Sequence, residues 1–154
     1  MRLALYQPDI PQNLGAAIRL AACFDIALDV IEPCGFPLTD RALKRAALDY
    51  GERVVLTRHS GLAAFQAAPE RASGRLVLVE TDGAVNFQAF SFSAGDTLVL
   101  GQESAGSPGA LYVAAQASVR VPMARGLRSL NVVVAAAMVL TEAMRQTGMW
   151  EKLD

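Results

Sequence analysis

The stretch Val119–Leu140 holds the residues best suited to chemistry: a short apolar strand, a basic loop with Arg125, Gly126 and Arg128, then an almost wholly apolar helix. Ser129 and Asn131 are the only side chains able to make neutral hydrogen bonds just before that helix begins. Free backbone N–H groups at a helix N-terminus hold polar or anionic ligand groups. In open α/β sheets, ligands settle at the carboxyl ends of strands. Two further segments, around Asn13 and around Gly101, end strands in the same way. Three such turns could share one ligand.

Familiar motifs exclude more than they suggest. Gly101-Gln-Glu-Ser-Ala-Gly106 has the glycine spacing of a phosphate loop, but Ser107-Pro108 follows where Lys and Ser or Thr are needed. No G-x-G-x-x-G follows the first strand, so the dinucleotide fingerprint and that of ordinary Rossmann-type methyltransferases are missing. There is no H-E-x-x-H, G-x-S-x-G or Cys/His cluster, and His59 is the sole histidine. A zinc site or a Ser-His-Asp hydrolase is not expected, and no metal is.

The elements that must position these turns alternate along the chain. Strands are expected at Leu3–Tyr6, Ala27–Ile31, Val54–Thr57, Leu76–Glu80, Thr97–Leu100 and Ser118–Val121. Helices are expected from Asn13, as a cap, to about Phe24, and from Thr39 or Asp40 to about Tyr50. Others should cover Gly61–Ala68, begin near Pro108, and run from about Leu130 to Thr147. This pattern implies an α/β fold, a mainly parallel sheet with helices on both faces.

Composition fits one domain, residues 1–154, without repeats or linkers. The chain is 53% hydrophobic and 19% charged, with net charge −1. Global charge therefore does not advertise nucleic-acid binding, which would need local basic patches. No segment reaches the ~20 apolar residues of a membrane span. The N-terminus lacks the apolar region of a signal peptide. Cys23 and Cys34 are too few for a disulfide framework, and a reduced, cytoplasmic setting is expected.

Asn13-Leu-Gly-Ala-Ala-Ile-Arg19, Leu98–Pro108 and Val121-Pro-Met through Arg128-Ser-Leu-Asn131 together resemble the three ordered motifs of SPOUT-type RNA 2′-O-methyltransferases. Ile31-Glu-Pro33, Gly35-Phe36 and Asp49-Tyr50 are similar to the small single-domain tRNA branch, and the resemblance spans essentially the whole chain. It implies S-adenosylmethionine as methyl donor, a C-terminal trefoil knot, and a homodimer. The implied target is the ribose 2′-OH of the wobble pyrimidine in a tRNA anticodon, with a leucine-type tRNA expected. Gln102 departs from the proline frequent among relatives and suggests a looser second loop.

The resemblance also assigns residues. Val79, Gly101, Val121, Ser129 and Leu130 are the expected cofactor contacts; by type alone the valines are ordinary strand-end core. Arg19 is the expected catalytic residue, although by type alone it is a solvated surface charge. A guanidinium resists deprotonation, so its expected role is to clamp a phosphate and stabilise charge on the attacking oxygen. Asn13, which could be only a cap, stands in the first motif near the cleft. Independently of the resemblance, Arg41, Lys44 and Arg45 share one helix face, and Arg125 and Arg128 flank the third loop. Asn13, Arg41, Arg45, Arg125 and Arg128 are thus the expected RNA contacts, with a solvated basic face as the alternative for the Arg41 group. Glu103 either holds the loops together or is a plain surface carboxylate. Two other readings stay open: a ribosomal RNA 2′-O-methyltransferase of the same superfamily, and a non-catalytic α/β binding module.

Overall fold

Short apolar runs separated by turn residues fold here into parallel strands joined by helical crossovers. The computed structural model describes residues 1–39, 50, 53–71 and 73–153. Among these the elements run β1 (Arg2–Tyr6), α1 (Pro11–Cys23), β2 (Ala27–Ile31), β3 (Leu56–His59), α2 (Leu62–Ala67) and β4 (Leu76–Val79). They continue through β5 (Val85–Asn86), β6 (Thr97–Leu100), α3 (Gly109–Ala114), β7 (Ala117–Arg120) and α4 (Val132–Thr147). The sheet order is β3-β2-β1-β6-β4-β7-β5, and every pairing is parallel.

Strands covered on both faces read as unbroken apolar runs, and β4 and β6 are buried along their whole length. Alternate residues feed two cores. Leu5, Val77, Leu98 and Leu100 pack with Leu14 and Ile18 of α1 and with Val139, Leu140 and Met144 of α4. Ala4, Ile31, Leu76, Leu78 and Val99 face Phe65 of α2 and Leu111 of α3. Burying a side chain of this size contributes roughly 1.5–3 kcal/mol. Both faces of the sheet are thereby closed, which leaves its strand ends to carry polar function.

Several element boundaries differ from those expected. Asn13 is not the cap of α1: the helix starts at Pro11, with Ile10 as N-cap and no side-chain cap bond. Proline suits that place because its φ is already helical and its missing N–H is not needed. The third strand lies at Leu56–His59 rather than Val54–Thr57. Its register is fixed where His59 Nε2 meets the buried Asp29 carboxylate at 2.7 Å, while Arg2 grips the same carboxylate at 2.8 and 3.0 Å. The final helix starts at Val132, one residue past its cap, Asn131, rather than at Leu130. The two-residue β5 was not expected, and the helix expected before Tyr50 lies outside the described residues. No described helix is long and apolar enough to cross a membrane.

Candidate active site

β6, β4 and β7 are adjacent in the sheet, so the loops that follow them open side by side although they are far apart in sequence. Between them lies a cavity of about 430 Å³, within the range of small-molecule sites. Val79, the last residue of β4, and Val121, just past β7, are buried apolar walls. Gly101 and Gly106 line it after β6, and Arg128, Ser129 and Leu130 line it from the third loop. Asn13 enters from α1. All five expected cofactor contacts and two of the expected RNA contacts thus meet in one place.

The other expected residues lie elsewhere. Arg19 is outside the lining. Six residues beyond Asn13 on the same helix, it stands roughly 9 Å farther along the axis and about 120° around it. It is exposed, with its guanidinium 5.2 Å from the Tyr50 ring centroid. Arg125 is exposed in an adjoining depression that shares Thr81, Val121 and Met123 with the cavity. Arg41, Lys44 and Arg45 lie outside the described residues.

Gly101 is required by close approach. A Cβ there would lie 2.3 Å from Ser107 Oγ and 2.8 Å from Ser107 N. Gly106 has φ +70°, a conformation glycine adopts without the strain of a side chain. Reciprocal backbone bonds, Gln102 N to Gly106 O at 3.1 Å and Gly106 N to Gln102 O at 2.7 Å, close the loop between them. A proline at 102 could not donate the first of these, so Gln102 compensates for the stiffness it forgoes.

A chain of polar side chains ties the three segments together. Asn131 Oδ1 accepts from Val133 N at 2.9 Å and Val134 N at 3.3 Å, capping α4. Its Nδ2 donates to Asn13 Oδ1 at 2.9 Å, and Asn13 Nδ2 donates to Glu103 Oε1 at 3.0 Å. Glu103 Oε2 accepts from Asp9 N at 2.9 Å, and the Ser104 hydroxyl donates to the Asp9 carboxylate. Glu103 is therefore a loop-holding residue.

Burial, then contact with the Asp9 carboxyl, pushes Glu103 above the usual carboxylate range. Hydrogen bonds with the Glu103 and Ser104 side chains hold Asp9 below it. Of the two acids, Glu103 is therefore the one more readily protonated. Among the described residues, no group of three or more His, Cys, Asp or Glu could hold a metal ion.

The SpoU rRNA Methylase family model matches residues 1–141. The chain belongs to that family. It is 48% identical over 151 residues to a protein of Beijerinckia indica named tRNA (cytidine(34)-2′-O)-methyltransferase, covering 98% of this chain and 94% of that relative. A solved structure concerning the 2-OH methylation of C/U34 on tRNA superposes with TM-score 0.85 at 39% identity, covering 94% of each chain. The SpoU methyltransferase AviRb from Streptomyces viridochromogenes, solved in complex with the cofactor AdoMet, superposes with TM-score 0.80 at 25% identity. That match covers 95% of this chain and 60% of AviRb.

In this SpoU methylase the cavity also has lining residues that were not anticipated: Ile10, Glu80, Thr81 and Met123. Glu80 directly follows a recognisable strand. Its place at the cavity depends on β4 lying between β6 and β7, and chain order does not reveal that adjacency.

Proposed function

We propose that this protein transfers the methyl group of S-adenosylmethionine to the ribose 2′-OH of the wobble nucleotide, a pyrimidine, in a tRNA anticodon. The observation that carries this reading is the 48% identity, over 98% of the chain, to a relative named for that reaction. The cavity fits the donor. Its valine walls suit an adenine, its glycine loop admits close backbone approach, and the buried Ser107 hydroxyl beside Gly101 has no hydrogen-bond partner.

Bound there, S-adenosylmethionine supplies an electrophilic methyl group, and in-line positioning then accounts for much of the rate. Val79, Gly101, Val121, Ser129 and Leu130 hold the donor. Arg128 and Asn13, at the same cavity, orient the incoming nucleotide, and Arg125, Arg41 and Arg45 follow phosphates, which position RNA without reading its sequence. Arg19 stands outside its own chain's cavity. In this reading it serves the cavity of the homodimer mate, clamping a phosphate and stabilising charge on the attacking oxygen while phosphate or water accepts the proton.

A homodimer belongs to this reading. Its support is an exposed apolar stripe on α4, Val134 at 49% and Met138 at 38% exposure, continued by Trp150 at 37%. A trefoil knot in the C-terminal part and a cytoplasmic location belong to it as well. The knot is supported by the return of α4 to pack against β4 and β6 after the third loop.

Mass mapping of tRNA nucleosides from a strain lacking the protein tests the proposal. The expected result is loss of the 2′-O-methyl group at position 34. A methyl group lost from ribosomal RNA instead, or no loss, overturns it.

A further inference from the structure

Glu80 is a half-buried carboxylate that lines the cavity directly after Val79. Its backbone is fixed on both sides, Glu80 N donating to Val119 O at 3.0 Å and Gly83 N donating to Glu80 O at 3.2 Å. One carboxylate oxygen, Oε1, accepts from Thr81 N at 3.0 Å and from the Thr81 hydroxyl at 3.4 Å. The other, Oε2, lies 3.6 Å from where a Cβ on Gly106 would stand, so it reaches over the glycine loop. Among the described residues, Oε2 has no hydrogen-bond partner and no cation pairs with this group.

A carboxylate oxygen held at a cavity wall without a donor is an acceptor in wait for one. Arginine recognition by an acceptor of this kind would need a planar fork, whereas a pair of neighbouring hydroxyls needs only adjacent lone pairs. We infer that Glu80 accepts hydrogen bonds from the ribose hydroxyls of the adenosyl donor, and so fixes the donor's position between the β4 turn and the glycine loop. The inference rests on the methyl-donor reading above. Glu80 adjoins Val79, the valine wall suited to an adenine, and both line the same cavity. The backbone of Glu80 and its bonds to Thr81 are fixed within this turn, so the side chain is held ready before the ligand arrives and binding costs little ordering.

The test is a double-mutant cycle by calorimetry. The parent protein, Glu80→Gln and Glu80→Ala are each titrated with S-adenosylhomocysteine and with its 2′-deoxy and 3′-deoxy counterparts. Glu80→Gln keeps an acceptor for Thr81 N, and unchanged thermal unfolding shows that the fold is retained. Removing a hydrogen bond to a charged group weakens binding roughly tenfold or more. Accordingly, Glu80→Ala binds S-adenosylhomocysteine about tenfold more weakly than the parent. In the parent at least one deoxy probe shows a similar loss, and in Glu80→Ala that loss disappears. If both proteins discriminate the deoxy probes equally, the carboxylate faces another part of the ligand and the inference falls. Equal affinity of parent and variants overturns it as well. A parent that binds none of the three probes overturns the methyl-donor reading itself, and the inference with it.

Discussion

Asn131 Nδ2 donates to Asn13 Oδ1 across 2.9 Å, joining residues 118 apart in sequence. The same Asn131 caps α4 through its oxygen, so one side chain both starts the last helix and fastens it to the first. Removing it costs a cap, about 1 kcal/mol, and strands a buried amide oxygen, about 1–3 kcal/mol more.

Asn131→Ala is therefore expected to lower Tm by roughly 5–10 °C, at 2–4 °C per kcal/mol for a domain of this size. Asn131→Asp keeps the cap but cannot donate to Asn13, and should fall between the two. Thermal unfolding followed by circular dichroism checks the order; an alanine variant as stable as the parent contradicts it.

Arg19 lies outside the cavity, so its replacement should leave donor binding alone. Arg19→Lys keeps the charge but loses the planar fork of a bidentate clamp. Turnover should drop at least about tenfold, equivalent to 1.36 kcal/mol of barrier stabilisation, with unchanged S-adenosylmethionine affinity. Near-normal methyl transfer would sink the clamp role.

Gly101→Ala forces a methyl group to within 2.8 Å of Ser107 N and 2.7 Å of the Gly106 carbonyl carbon. Backbone on both sides must move, and the loop that borders the cavity moves with it. Calorimetry should show S-adenosylmethionine binding weakened about tenfold or more; retained affinity would mean that this loop does not touch the donor.

The Glu103 carboxyl is raised and Asp9 is lowered, and the two have opposite consequences for stability. A raised acid favours the folded state fully below its ordinary value of 4.5 and loses that contribution as pH climbs through its folded value. The lowered Asp9 contributes above its ordinary 3.8 and loses that as pH falls. Glu103→Gln removes the first dependence. The stability difference, parent minus variant, should shrink as pH rises from about 4.5, measured by urea unfolding across pH. A difference independent of pH contradicts the raised Glu103 carboxyl.

Asp29 is fully buried between Arg2 and His59. Asp29→Ala leaves a cation without its partner, a loss of about 3–5 kcal/mol, and should cost roughly 10 °C in Tm. At low temperature donor binding should survive, because this cluster faces the core on the side of α2, away from the cavity.

Much of the architecture was legible from patterning. β2 and β6 fall where their apolar runs lie, because strands covered on both faces leave little room for ambiguity. Boundaries were lost where one polar contact outweighs the local pattern. His59 draws β3 two residues beyond the Val54-Val55 pair, and Pro11 starts α1 ahead of the better capping residue, Asn13. At the cavity, every expected donor contact lines the wall: four of them lie in the second and third motifs, and Val79 ends a plainly apolar strand. Glu80 carries no such mark, and Met123, although it lies within the third motif, was not singled out there. The place of Glu80 at the cavity comes from strand neighbours that chain order hides.

The wall formed by residues 121–135 is the last part of the cavity to be synthesised, and it completes the crevice begun by Asn13 and Gly101. A nascent chain that stops short of Asn131 has neither the closing wall nor the clasp to α1. A ligand of this cavity can therefore reward only a chain extended through that wall, and proteolytic trimming back through residue 131 would remove the wall and the clasp while sparing most of the sheet.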